Sequence, residues 1–160
     1  MDLKLFKEKA EKQKKENKAF YQQLERNPPK NLDVVFQDTH YEVFEKTDCL
    51  TCANCCKTTS PIFYQKDIER VAQGLKMKPG AFIEKYLHLD EEKDYVLNVA
   101  PCPFLDADNY CRVYEYRPTA CREYPHTNRK KMFQLLKLSY CNTLVCPAVL
   151  KITEKLKSIF

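Results

Sequence analysis

The stretch "CLTCANCC", residues 49–56, places Cys49, Cys52, Cys55 and Cys56 within eight positions. Two residues between cysteines let a tight turn aim both sulfurs at one ion, the spacing of zinc knuckles and of iron–sulfur loops. Five more cysteines follow as Cys102-x8-Cys111-x9-Cys121 and Cys141-x4-Cys146. Core packing can explain a lone buried cysteine, but four in eight positions ask for another purpose. A thioredoxin-like redox pair needs a strand before its CxxC and a helix after it, and the local sequence does not display that context. Metal binding is the chemistry this pattern favours.

The metal stays open between zinc and iron, with an iron–sulfur cluster within range of the same ligand set. A bacterial ferredoxin loop reads C-x2-C-x2-C-x3-C-P. Skipping three residues after Cys55 reaches Thr59, so a fourth ligand is not where a ferredoxin puts it. Cys55 and Cys56 are adjacent, and neighbouring side chains diverge by about 100° in a helix or point to opposite faces of a strand. The two are therefore expected to serve different purposes, and further ligands must come from distant segments, Cys102, Cys111 and Cys121 being the obvious donors.

"CLTCANCC" followed by "CPFLDADNYCRVYEYRPTACREYP" resembles the bacterial CxxCxxCC cysteine-cluster family, the YkgJ-like proteins, over Cys49 to Pro125. The resemblance implies a zinc- or iron-chelating domain and brings no settled reaction with it. Members are often labelled iron–sulfur oxidoreductases, and the cluster is similar to that of flagellin lysine N-methylases. An oxidoreductase or methylase-like activity is thus an open alternative, with catalytic residues unknown. All nine cysteines, Cys49, Cys52, Cys55, Cys56, Cys102, Cys111, Cys121, Cys141 and Cys146, are candidate ligands; Cys141 and Cys146 lie outside the core resemblance, and core packing is the alternative for either.

Four thiolates around Zn²⁺ leave a formal charge of −2, and cations near the cysteines would offset it. Lys57, Arg112 and Arg122 each follow a cysteine, and Arg117 lies between Cys111 and Cys121. Arg117 and Arg122 belong to the RPxxCRxYP element and are candidates to hydrogen-bond around the centre. Pro147 marks a helix start at which the dipole would favour a Cys146 thiolate. His40, His88 and His126 show no paired ligand spacing; His126, directly after RPxxCRxYP, is the one to watch. Tyr110, Tyr114, Tyr116 and Tyr124 are expected to pack around the cysteine-rich segment.

These residues need elements to position them. Leu3, Phe6, Ala10, Phe20 and Leu24 recur at heptad-like positions, predicting an amphipathic helix over about 2–26, weakened at Gln13 and Asn17 and stopped by "NPPK". Residues 32–44 read as an extended or mixed approach to the cluster. Helical spacing returns in Tyr64, Ile68, Val71, Ala72 and Leu75, with Gly74 as a stop, and again after Pro79 in Phe82, Ile83, Tyr86 and Leu87. Residues 95–99 favour a short strand, 101–127 have no clear period, and Pro147 opens a last helix.

The chain has 160 residues, 44% of them hydrophobic, and only two glycines. It can bury a modest core, while nothing resembles a glycine-rich phosphate cradle. Neither a secretory leader nor a membrane-spanning run is visible, which leads to the expectation of a cytoplasmic protein with reduced thiols. Residues 1–30 hold nine Lys/Arg against five Asp/Glu. That excess suits a solvated helix face or a protein contact better than nucleic acid, since acids are interspersed. The expected organisation is a basic amphipathic helix and linker over 1–30 and a cysteine-cluster metal-binding domain over 31–160. The expected fold class is α+β, a small helix-rich domain with irregular cysteine-rich loops organised around metal. A structural-zinc interaction module without catalytic activity is the alternative function.

Overall fold

The computed structural model describes residues 2–160. Along the chain run α1 (Leu3–Arg26), α2 (Leu32–Phe44), α3 (Asn54–Thr58), α4 (Gln65–Gly74), α5 (Pro79–Tyr86), β1 (Leu87–Leu89), β2 (Tyr95–Leu97), α6 (Thr119–Glu123), α7 (Leu136–Asn142) and α8 (Pro147–Ile159). Short 3₁₀ turns occupy Cys49–Thr51, Tyr114–Tyr116 and Met132–Leu135. The fold is helix-rich α+β, its sheet a single antiparallel pair. It divides into two units, one made of the chain up to Cys52 with Pro125–Phe160, the other of Ala53–Tyr124.

In the first unit, α1 begins where Asp2 caps it: the carboxylate accepts the N–H of Lys4 at 2.9 Å and of Leu5 at 3.2 Å. Such a cap satisfies donors the helix cannot, worth about 1 kcal/mol. The helix buries Phe6, Ala10, Asn17, Tyr21 and Leu24 and ends before Pro28 and Pro29, which cannot extend it. The interrupting residues of the stripe face inward too. Gln13 donates to Glu154 at 2.7 Å, and Asn17 is fully buried. The Tyr21 hydroxyl pairs with that of Thr153 at 2.9 Å, linking α1 to α8.

Residues 32–44 correct the expectation of an extended segment, for they form α2. Leu32, Phe36, Thr39 and Val43 recur every three or four residues and all are buried; Leu32, Phe36 and Val43 share one core with Met132, Leu136, Ala148, Ile152 and Leu156. Val34, Val35, Thr39 and Val43 carry β-favouring side chains. Their intrinsic preference amounts to a few tenths of a kcal/mol each, less than the burial of Phe36 contributes. Asp33 anchors the helix start to the Met132–Leu135 turn by accepting from Lys131 N–H at 2.7 Å and Met132 N–H at 2.8 Å.

The second unit is built from shorter pieces around Phe63, Ile68, Val71, Phe82, Leu87, Leu97, Phe104 and Val113. Phe82 is its centre, with ring centroids 5.9 Å from Phe63, 5.3 Å from Tyr86 and 6.2 Å from Phe104. The strand expected over 95–99 is β2, ending at Leu97. Its partner β1 pairs Leu87 with Leu97 and Leu89 with Tyr95, so Leu87 leaves the helical pattern of α5 for the sheet. Asp90 makes the reversal by accepting the N–H groups of Glu92 and Asp94, both at 2.9 Å.

Candidate metal centre

The eight-residue cysteine stretch is divided between the units, Cys49 and Cys52 in the first and Cys55 and Cys56 in the second. Within the second unit, Cys56 lies on α3, and its carbonyl accepts the N–H of Cys102 at 2.8 Å. That bond brings the CPFL element alongside the cluster. A small reversal then returns Cys111 towards Cys102. Leu105 bridges Cys111 in antiparallel fashion, and Asp106 N–H donates to Tyr110 at 2.8 Å while Arg112 N–H donates to Phe104 at 2.8 Å. Cys121 rides on α6, whose first residue is held by Asp67: Thr119 donates its N–H at 3.0 Å and its hydroxyl at 2.9 Å to one carboxylate oxygen.

Asp67 is a residue that spacing alone did not single out. It is buried, and accepts from Arg70 and from Tyr64 N–H as well as from Thr119. Arg70 in turn donates to the carbonyls of Tyr116 at 3.3 Å and Arg117 at 3.0 Å. The pair therefore fastens α4 to the stretch between Cys111 and Cys121. An acid at the third position of a helix, three residues before an arginine, was the available signal. Burial acts to raise the Asp67 carboxyl, but its bonds from Thr119, Arg70 and Tyr64 outweigh that and hold it below the usual range.

Four of the five thiols of this unit, Cys56, Cys102, Cys111 and Cys121, are in electrostatic range of each other. Cys56 and Cys111 bear on Cys102, Cys56 bears on Cys111, and all three bear on Cys121. Burial pushes the Cys102 thiol up to about 11 and Cys121 up to about 12, and raises Cys111. Cys56 is raised too, first by its contact with Cys55, whose sulfur lies 3.9 Å away, and then by burial. Arg117 lowers Cys111 and Cys121, and Lys57 lowers Cys56, as the sequence led us to expect, but burial outweighs Arg117, and the contact with Cys55 together with burial outweighs Lys57. The thiols are thus protonated near neutral pH, and an ion must displace their protons to bind. Among the described residues no three Cys, His, Asp or Glu side chains already close around a common point.

This combination of motif order and local placement has a counterpart among known families. Residues 48–142 match a family model described as "CxxCxxCC: Putative zinc- or iron-chelating domain". The chain belongs to the CxxCxxCC family. Comparison with curated proteins and comparison with solved structures each returned no match. The CxxCxxCC match ends at residue 142, so it includes Cys141 and leaves Cys146 outside. The donor set fits either metal of the family description, since thiolates are ligands of zinc and of iron.

Other expected participants are placed differently. Arg122 donates to the Glu115 carbonyl at 3.1 Å, and Arg117 donates to the Tyr114 carbonyl at 2.6 Å while lying 3.7 Å above the Tyr114 ring. Both arginines brace the backbone between Cys111 and Cys121. Arg112 instead pairs with Asp106 at 3.2 Å. Tyr110 and Tyr114 are exposed, against the expectation that they pack; Tyr116 does pack, against the core of this unit. His88 bonds Asn98 at 3.0 Å on β1. His40 bonds Thr127 at 2.8 Å and stacks on Phe44 in the first unit, its pKa lowered by burial. His126 also belongs to that unit, with a left-handed φ of 65°.

Proposed function

We propose that this chain is a metal-chelating protein in which Cys56, Cys102, Cys111 and Cys121 hold one zinc or iron centre. The observation that carries the reading is the mutual electrostatic contact of four half-buried thiols from three segments of one unit. Each sits on short, hydrogen-bonded backbone. A site with four protein thiolates has no position left for substrate, which favours a structural role. In that role the ion ties α3, the 102–111 reversal and α6 together. The basic helix α1, with Leu5 exposed beside its lysines, is then the proposed contact for a protein partner. Reduced thiols in this number suit the cytoplasm. Among the described residues no helix is long and apolar enough to cross a membrane.

The same four thiolates are also the ligand set of an iron–sulfur cluster, the form that an oxidoreductase or methylase-like activity would require. Anaerobic purification of the full chain, with elemental analysis and a visible spectrum, separates the two. Zinc with no visible absorption supports the structural reading; iron with acid-labile sulfide and visible charge-transfer bands supports the cluster. A protein that carries neither metal, and takes up neither when incubated with Zn²⁺ or with Fe²⁺ under argon, would overturn chelation altogether.

A further inference from the structure

Between Glu123 and Glu154 the chain carries no Asp or Glu, while Arg129, Lys130, Lys131, Lys137 and Lys151 all fall there. Taking these five from the 27 Lys and Arg leaves 22, equal to the 22 Asp and Glu, so the rest of the chain is formally neutral, basic first helix included. Four of the five cations belong to one fastened stretch of the first unit. Asp33 on α2 accepts the N–H groups of Lys131 and Met132, and one turn later the Gln37 side chain donates to the Asn128 carbonyl at 3.4 Å. Residues 128–132 therefore lie along the first two turns of α2. Met132 and Leu136 are fully buried, which leaves Phe133, Lys137 and Leu138 on the solvent side of the same stretch. Phe133 is 53% exposed, Leu138 40%, and Val34, next to the fastening Asp33, 58%. Lys30, at the approach to α2, is exposed beside them, as are Arg129, Lys130 and Lys131. Lys30, Lys130, Lys131 and Lys137 enter no ion pair among the described residues. Of the acids in this part of α2, Asp33 is taken up by the two N–H groups, and Asp38 follows one turn after Val34.

We infer that this basic and apolar face of the first unit binds the surface of an anionic lipid bilayer. The contact is peripheral and independent of the metal centre. Lysine ammonium groups are compact point charges, drawn to the negative potential of such a surface. Phe133, Val34 and Leu138 are of the kind that enters the boundary between headgroups and acyl chains. Single-stranded nucleic acid is held by aromatic platforms along a charged groove. Here two of the three exposed apolar side chains are aliphatic, with no ring on which a base could stack. Because the 128–132 stretch is pinned to α2 at two places, its charges are presented with little ordering left to do on binding.

The test sediments the full chain with vesicles of phosphatidylcholine alone and of phosphatidylcholine mixed with phosphatidylglycerol. Binding should be confined to the anionic vesicles and weaken as salt rises. Lys130→Gln combined with Lys131→Gln should weaken it about 30-fold, from about 5-fold for each lysine near such a surface. The same exchange at Lys4 and Lys7 of α1, both exposed, should leave it unaltered. The Lys131 N–H keeps its bond to Asp33 in the first variant, and helical circular dichroism checks its fold. The chain has no Trp, so Phe133→Trp supplies a single emitter that does not depend on that variant. Its fluorescence should move to the blue on anionic vesicles and be quenched by brominated acyl chains. Absence of binding to anionic vesicles, equal binding to neutral ones, undiminished binding by the Lys130 and Lys131 variant, or Trp emission that does not move overturns the proposal. Binding of a labelled oligouridylate by a chain that ignores the vesicles would make this face a nucleic-acid site and overturn it equally.

Discussion

Cys55 and Cys56 show how far one residue of displacement matters. Both lie on α3, with sulfurs 3.9 Å apart, yet it is Cys56 whose charge bears on Cys102, Cys111 and Cys121. Cys56→Ser should therefore remove the ion of the second unit, and Cys55→Ser should leave that ion in place, as read by metal content of each variant. Retention of the ion by Cys56→Ser would contradict this assignment. The raised thiols also set a pH dependence. Once unfolded they ionise near their ordinary value of 9.0, but burial in the fold holds Cys102 neutral to about 11 and Cys121 to about 12. The metal-free fold is thus favoured below pH 9 and loses stability as pH rises from there through 11 to 12. Melting temperatures of the metal-free chain should fall across that window, whereas the zinc-loaded chain, its thiols already deprotonated, should lack this slope. In acid the sign reverses for the metal: protons compete for the thiolates, and the ion should dissociate as pH falls.

At the scale of elements, the helix α4 and the turn Tyr114–Tyr116 meet closely at Gly74. A Cβ on Gly74 would collide with the edge of the Tyr116 ring at its Cδ2 and Cε2 atoms. Alanine is the better helix former by about 1 kcal/mol, but overpacking costs about 1–3 kcal/mol, and Tyr116 is packed against the core. Gly74→Ala should lower the melting temperature and weaken zinc binding together, because the displaced turn leads from Cys111 to Cys121. An unchanged affinity would show that the turn does not transmit to the thiols. Asp67 acts through the same segment. Asp67→Asn removes the charge that Arg70 pairs with and one acceptor oxygen of a buried group, a loss of about 2 kcal/mol by analogy with charged hydrogen bonds. Since its carboxyl is held below the ordinary 3.8, the stability it contributes is present above that pH and lost below it. The variant's deficit in denaturant midpoint should accordingly shrink towards pH 3. In the first unit, Phe36 is fully buried, and Phe36→Ala should destabilise by about 3–5 kcal/mol, measured by urea unfolding.

Over the whole molecule, the two units differ in what holds them. The first has helices of 24, 13 and 13 residues around one apolar core. The second, apart from α4 and α5, is made of three- and five-residue pieces joined by irregular chain. Short elements carry little stability of their own, so the ion should contribute most there. Chelation should collapse hydrogen-exchange protection over residues 102–121 while α2 and α8 keep theirs. Equal loss in both units would indicate that their stability is shared instead.

The chemistry and the self-contained helices were legible from the chain alone. CxxCxxCC carries the metal reading because ligand spacing is a local property, and CPFL and RPxxCRxYP carry the resemblance to the family. The helices α1, α4, α5 and α8 were visible through apolar period, Pro79 and Pro147, all of which act within a turn or two. Tertiary structure alone decided α2, where burial of Leu32, Phe36 and Val43 overrides β-favouring side chains. It also decided β1, which takes its state from pairing with β2. Above all it divided the cysteines. Cys52 and Cys55 stand three positions apart in sequence yet belong to different units, because the neighbours of a thiol are set by how distant segments pack, and no local spacing encodes that.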